Sequence, residues 1–106
     1  MKKEMHSIKV NLEELRYVIE DTHHCKVGGL AEVVDVRIPR RNKPTWEGPV
    51  HVFEIGGHPK AARCYAWPEP VNKTTITIRA VLHSDKISSA QKAVHSVIAR
   101  KRNDQI

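Results

Sequence analysis

Residues 74–83 read TTITIRAVLH, an alternation of apolar and polar side chains carried largely by β-branched residues. A period of two fits an extended strand and not a helix, because successive side chains of a strand point to opposite sides. Ile76, Ile78, Ala80 and Leu82 then make one face of the strand. Thr75, Thr77, Arg79, Val81 and His83 make the other. Such a strand needs partner strands beside it and a covering layer on its apolar face.

Three further runs predict the partners. LAEVVDVRI at 30–38, VHVFEI at 50–55 and AARCYAW at 61–67 read as strands, the last stopped by Pro68 and Pro70. RIPRRNKPTWEGP joins the first two as a loop, and GGHPK turns the chain between the second and third. Two helical patterns bracket the strands. Asn11 is a good N-cap, Glu14 holds the capping-box position, and Val10 with Leu15 is placed as a hydrophobic staple. Leu12, Leu15, Val18, Ile19 and Thr22 follow at helical spacing, and Gly28-Gly29 predicts the helix end. Ser88 with Gln91 makes a second capping box. Ile87, Ala90, Ala93, Val94, Val97 and Ile98 form the stripe of a closing helix.

A chain of 106 residues fits one domain. The order of elements predicts an α+β fold: a two-layer sandwich, order αββββα, with an antiparallel sheet and both helices on one face. The domain is expected over 10–103, after a flexible N-terminus at 1–9 and before a tail at 104–106.

Alternation then assigns side chains to faces. Val34, Val36, Ile38, Ala62, Cys64 and Ala66 are expected under the helices; in the second strand Val50 and Val52 compete with Phe53 and Ile55 for that face, and if the valines go in, His51, Phe53 and Ile55 go out. The opposite, open face would carry Phe53, Arg63, Tyr65, Trp67, Arg79 and His83, beside Arg37 and Ile55. The first six of these residues are the candidate binding surface. A monomer seldom leaves such an aromatic patch bare, so something should cover it. A second copy of the chain is the leading expectation, since Tyr, Trp, Phe and Arg are enriched at protein interfaces. Single-stranded nucleic acid is another, with bases stacking on Phe53, Tyr65 and Trp67. A small ligand, or a small enzyme with a His-containing pocket built from His51, His58 and His83, is a third. The inverse assignment, with Tyr65 and Trp67 in the core, stays open at this level.

Lys and Arg outnumber Asp and Glu by 18 to 12, giving a formal charge of +6. That balance suits a polyanion as well as plain solubility. The basic loop residues Arg37, Arg40, Arg41 and Lys43 and the end residues Arg100, Lys101 and Arg102 are the polyanion-binding candidates. The N-terminus lacks an apolar segment behind its lysines, so no secretory signal is expected, and no run approaches a membrane span. Two cysteines, Cys25 and Cys64, read as free thiols of a cytoplasmic protein. Seven histidines include no HxxxH or HExxH spacing, and no CxxC occurs, so no metal site and no cofactor are expected. No catalytic residue is assigned: Cys64 points inward among alanines, and no paired carboxylates stand out.

The words WEGPVHVF, GHPKAARCYAW and AVLH, between Trp46 and His83, carry a resemblance. The segment resembles short uncharacterised bacterial proteins, some of the gene-cassette or mobile-element (integron) kind. The resemblance implies a bacterial, cytoplasmic protein and supplies no activity. Gly48, Pro49 and His51 also match the Gly-Pro-x-His loop of double-stranded-RNA-binding domains. The lysine-rich helix start of that family is missing from SDKISSAQKAV, and a fourth strand is expected, so that assignment is set aside. The expectation is therefore a non-enzymatic, homo-oligomeric binding module.

Overall fold

The computed structural model describes residues 11–39, 46–70 and 74–104, with side chains to Ala99. The elements run α1 (Leu12–His23), β1 (Lys26–Ile38), β2 (Trp46–Gly56), β3 (Arg63–Pro70), β4 (Ile76–Leu82) and α2 (Ala90–Asp104). The strands form one antiparallel sheet in the order β1-β2-β3-β4. The α+β class, the order αββββα and the antiparallel sheet are thus as the sequence reading has them. The expected flexible segment 1–9 and the staple residue Val10 lie outside the described residues, as do the last two residues of the tail.

Asn11 caps α1, its side chain accepting from the N–H of Glu13 at 2.9 Å and of Glu14 at 3.3 Å. The helix ends earlier than Gly28-Gly29. His24 takes the left-handed conformation, φ 54 and ψ 53, and its N–H donates to the Glu20 carbonyl. The two glycines instead sit in β1, where the register against β2 shifts between Val27 and Leu30 and again between Leu30 and Glu32. A Cβ on Gly28 would stand 3.3 Å from the Glu54 carbonyl oxygen, so the strands approach closely at this irregularity. At α2 the capping residue is Ser89, whose hydroxyl accepts from the Lys92 N–H. Ser88 instead receives the Lys92 ammonium.

β3 runs through Pro68 and Pro70, where the sequence predicts a stop. The bond from His83 N–H to the Arg63 carbonyl fixes the pattern: Arg63, Tyr65, Trp67 and Glu69 turn their backbone groups to β4. Pro68 and Pro70 therefore face the β2 side, and the β2 ladder has already ended at the pair His51–Ala66. Neither proline removes a bond the sheet needs.

The layering differs from the expected two layers. β2 buries four consecutive residues, Val50, His51, Val52 and Phe53, and β3 buries Cys64, Tyr65, Ala66 and Trp67. A strand covered on one face buries every second residue, so both faces are covered here. The core divides by strand parity. Leu15 and Ile19 of α1 pack with Phe53, Ile55, Cys64 and Ala66. Ala90, Ala93, Val94 and Val97 of α2 pack with Val36, Ile38, Val50, Val52, Tyr65 and Trp67. The helices lie on opposite faces, giving three layers, and the expectation of a shared face is corrected.

Candidate interaction surface

The expected aromatic-basic face does not exist as an open surface. Phe53 lies under α1, while Tyr65 and Trp67 lie under α2; their exposures are 0, 3 and 0%. No ring among them offers a face to a nucleic-acid base. Side-chain size explains the division. Cys64 and Ala66 are small and let α1 approach; Tyr65 and Trp67 fill the deeper space below the alanines of α2. Trp67 also meets Trp46 edge to face, with ring centroids 6.1 Å apart.

The other candidates are placed as follows. Arg79 lies opposite Trp67 in the ladder, and its Nε is 3.3 Å from Glu69 Oε1. Trp67 Nε1–H donates to the same oxygen at 3.4 Å, so the buried Glu69 carboxylate holds both. Arg79 is accordingly committed inside the chain. His83 Nδ1 and the Tyr65 hydroxyl are hydrogen-bonded at 2.7 Å, and burial pushes the Tyr65 phenol up from its ordinary pKa. Arg63 is exposed on the α2 face. It borders a cavity of about 330 Å³ below the first turn of α2, lined also by Glu32, Tyr65, Ser88, Ser89 and Gln91. Of the polyanion candidates, Arg37 is exposed on the α1 face of β1. Arg40, Arg41 and Lys43 lie outside the described residues, as do the side chains of Arg100, Lys101 and Arg102.

The three histidines named for an enzyme pocket do not converge. His51 is on the α1 face, His83 bonds Tyr65 on the α2 face, and His58 Nδ1 accepts from the Lys60 N–H in the β2–β3 turn. His51 is buried, stacked on Phe53 at 6.5 Å, and its Nδ1 has no hydrogen-bond partner among the described residues. Burial lowers its pKa. Cys64 is fully buried, and desolvation pushes its thiol up to about 12. Cys25 is half-buried, with its thiol raised by burial and by the Glu20 carboxylate. Neither is poised as a thiolate nucleophile near neutral pH. Among the described residues no three His, Cys, Asp or Glu side chains come together as a metal site. No described helix is long and apolar enough to cross a membrane.

The two edges of the sheet are treated differently. In β4, Arg79, Val81 and His83 turn their backbone groups to β3, so those of Ala80 point outward. There the His23 Nε2 meets the Ala80 carbonyl oxygen at 2.9 Å, so the end of α1 occupies one acceptor on this shorter edge strand. At β1 the bond from Ile55 N–H to the Ala62 carbonyl sets the phase. His51, Phe53 and Ile55 serve β3, so Val50 and Val52 serve β1 through Val34 and Glu32. Val33, Asp35 and Arg37 therefore turn their N–H and C=O groups outward.

Glu20 covers the start of β1, its Oε2 accepting from Val27 N–H at 2.9 Å. Among the described residues nothing bonds the outward groups of Val33, Asp35 and Arg37. Leu30 and Val33, at 39 and 49% exposure, put apolar surface on the same strand. β1 is the longest described strand, at 13 residues. Natural edge strands are usually short or blocked, and a long open one is a template for strand pairing. Face-by-face reading of the sequence did not single out this edge. The signal was present in the uninterrupted LAEVVDVRI, but which strands are edges is set by the sheet order.

No family model, curated protein or solved structure matches the chain.

Proposed function

We propose that this protein is a non-enzymatic interaction module that works as a homo-oligomer, with the outer edge of β1 as its contact surface. One observation carries the reading: Val33, Asp35 and Arg37 present three successive outward sets of backbone groups on the longest described strand, while on the opposite edge His23 occupies the Ala80 carbonyl. Main-chain bonds supply affinity when a strand is added to a sheet, and side chains on alternate faces supply specificity. The separated histidines and the raised thiol of Cys64 favour binding over catalysis. Two free cysteines suit a reducing compartment such as the cytoplasm.

Light scattering on a sizing column tests the proposal. The wild-type chain is expected at a multiple of its 12.1 kDa mass. Asp35→Pro removes an outward N–H and no bond to β2, so it should give a folded monomer with unchanged far-ultraviolet circular dichroism. A wild-type monomer at all concentrations up to the solubility limit overturns the reading.

A further inference from the structure

We infer that the partner strand is β1 of a second copy, antiparallel and centred on Val36, joining two sheets into one of eight strands. The inference rests on the edge reading above and adds its partner and register.

Geometry limits the choice. Two identical antiparallel strands related by a two-fold axis meet at a residue that faces its own copy. Around that centre, residues equally far before and after it stand opposite each other, on the same face. Centring on Asp35 sets two carboxylates face to face, and centring on Arg37 does the same for two guanidinium groups. Both are repulsive. Centring on Val33 sets Asp35 against Ala31 and Arg37 against Gly29, and centring on Val34 sets Asp35 against Val33 and Arg37 against Ala31. Neither pairs a charge. Centring on Val36 sets Asp35 against Arg37 of the other copy, twice over by symmetry, and Val34 against Ile38.

The backbone phase agrees with that register. Asp35 and Arg37 are two of the residues whose N–H and C=O groups point outward, so each such pair exchanges both backbone bonds. Val36 turns its groups to β2 through Gly48 and would occupy a non-bonded position at the centre. Pro39 has no N–H, so it would end the ladder beyond the two charged pairs. The side chains divide likewise. Asp35 and Arg37 are exposed on the α1 face and placed to meet across the axis. Val34, Val36 and Ile38 lie on the α2 face, where the join would extend the apolar layer already packed against α2. Opposite charges at cross-strand positions favour this register and disfavour its neighbours.

The test uses two charge-reversed chains, Asp35→Arg and Arg37→Asp, with light scattering on each and on their mixture. Each variant alone sets like charges opposite each other and is expected to be monomeric at concentrations where the wild type is dimeric. Mixed in equal amounts, the two arginines of the first chain meet the two aspartates of the second, one pair on each side of the axis. The dimer mass is then expected to return. Variants that stay dimeric alone, or a mixture that stays monomeric, overturn the register while leaving a wild-type oligomer to support the edge reading. In the wild type, residue-resolved amide exchange gives an independent check. The N–H groups of Asp35 and Arg37 are expected to exchange about tenfold more slowly, or more, at high than at low protein concentration. Concentration-independent exchange at both overturns the inference.

Discussion

His23, at the end of α1, places its Nε2 2.9 Å from the carbonyl oxygen of Ala80 on the outer edge of β4. Helix and strand are thus tied across 57 positions of sequence by one side chain. The contact does two things: it anchors α1 over the β3–β4 half of the sheet, and it occupies a backbone acceptor that a foreign strand could use. His23→Ala leaves that carbonyl to water. A loss of about 1 kcal/mol is expected, the ordinary net value of one such bond. Urea unfolding with an unchanged m-value would show it; a midpoint equal to wild type would show that the bond contributes nothing.

Trp67 is fully buried between Val50, Val52 and the alanines of α2. Truncation to alanine opens a large cavity and takes the indole donor away from the Glu69 carboxylate. Such a change costs about 3–5 kcal/mol, a large share of the roughly 5–15 kcal/mol typical of small domains. Trp67→Ala is expected to melt far below wild type. A well-folded variant of lower oligomeric mass would instead return Trp67 to the surface.

His51 couples stability to pH. Its folded-state pKa lies below the ordinary 6.5 because burial disfavours the imidazolium. The unfolded chain therefore binds a proton that the folded chain resists. Stability from this group is full above about pH 6.5 and falls as pH drops below it, until the folded pKa is reached. The groups around it do not offset the effect: Val33 and Ala66 flank His51 on the neighbouring strands, and Arg16 sits over the Phe53 ring beside it. Between about pH 7 and pH 5 the melting temperature of His51→Leu should fall less steeply than that of wild type. Parallel curves would remove His51 as the source.

The two thiols should differ in reactivity. Cys25 is half-buried, while Cys64 is sealed under α1 with its thiol pushed up to about 12. A disulfide reagent at about pH 8 is expected to label Cys25 first and Cys64 only at the rate of unfolding. Labelling of Cys64 in native buffer as fast as Cys25 would show that α1 opens readily.

Much of the architecture was legible in the chain. Asn11 capping α1, the stripe of Ala90, Ala93, Val94 and Val97, and the alternation of Ile76 to Leu82 are local patterns, and local patterns survive folding. Boundaries failed where a single residue overrode the usual signal. His24 took the left-handed conformation ahead of the glycines, and Pro68 fitted a strand because its missing N–H fell beyond the β2 ladder.

By itself the sequence determined the elements, their order and which side chains share a face within each strand. Parity inside one strand does not say how parity matches in the next. The pairs Val52–Tyr65 and Phe53–Cys64 made that match, putting Tyr65 and Trp67 on the face of Val50 and Val52. The same register gave each helix a face of its own, so the aromatic residues became core. The sheet order then left β1 at one edge, while α1 folded back so that His23 reached the Ala80 carbonyl on the other. These outcomes depend on contacts between distant segments, and only the tertiary structure decides them.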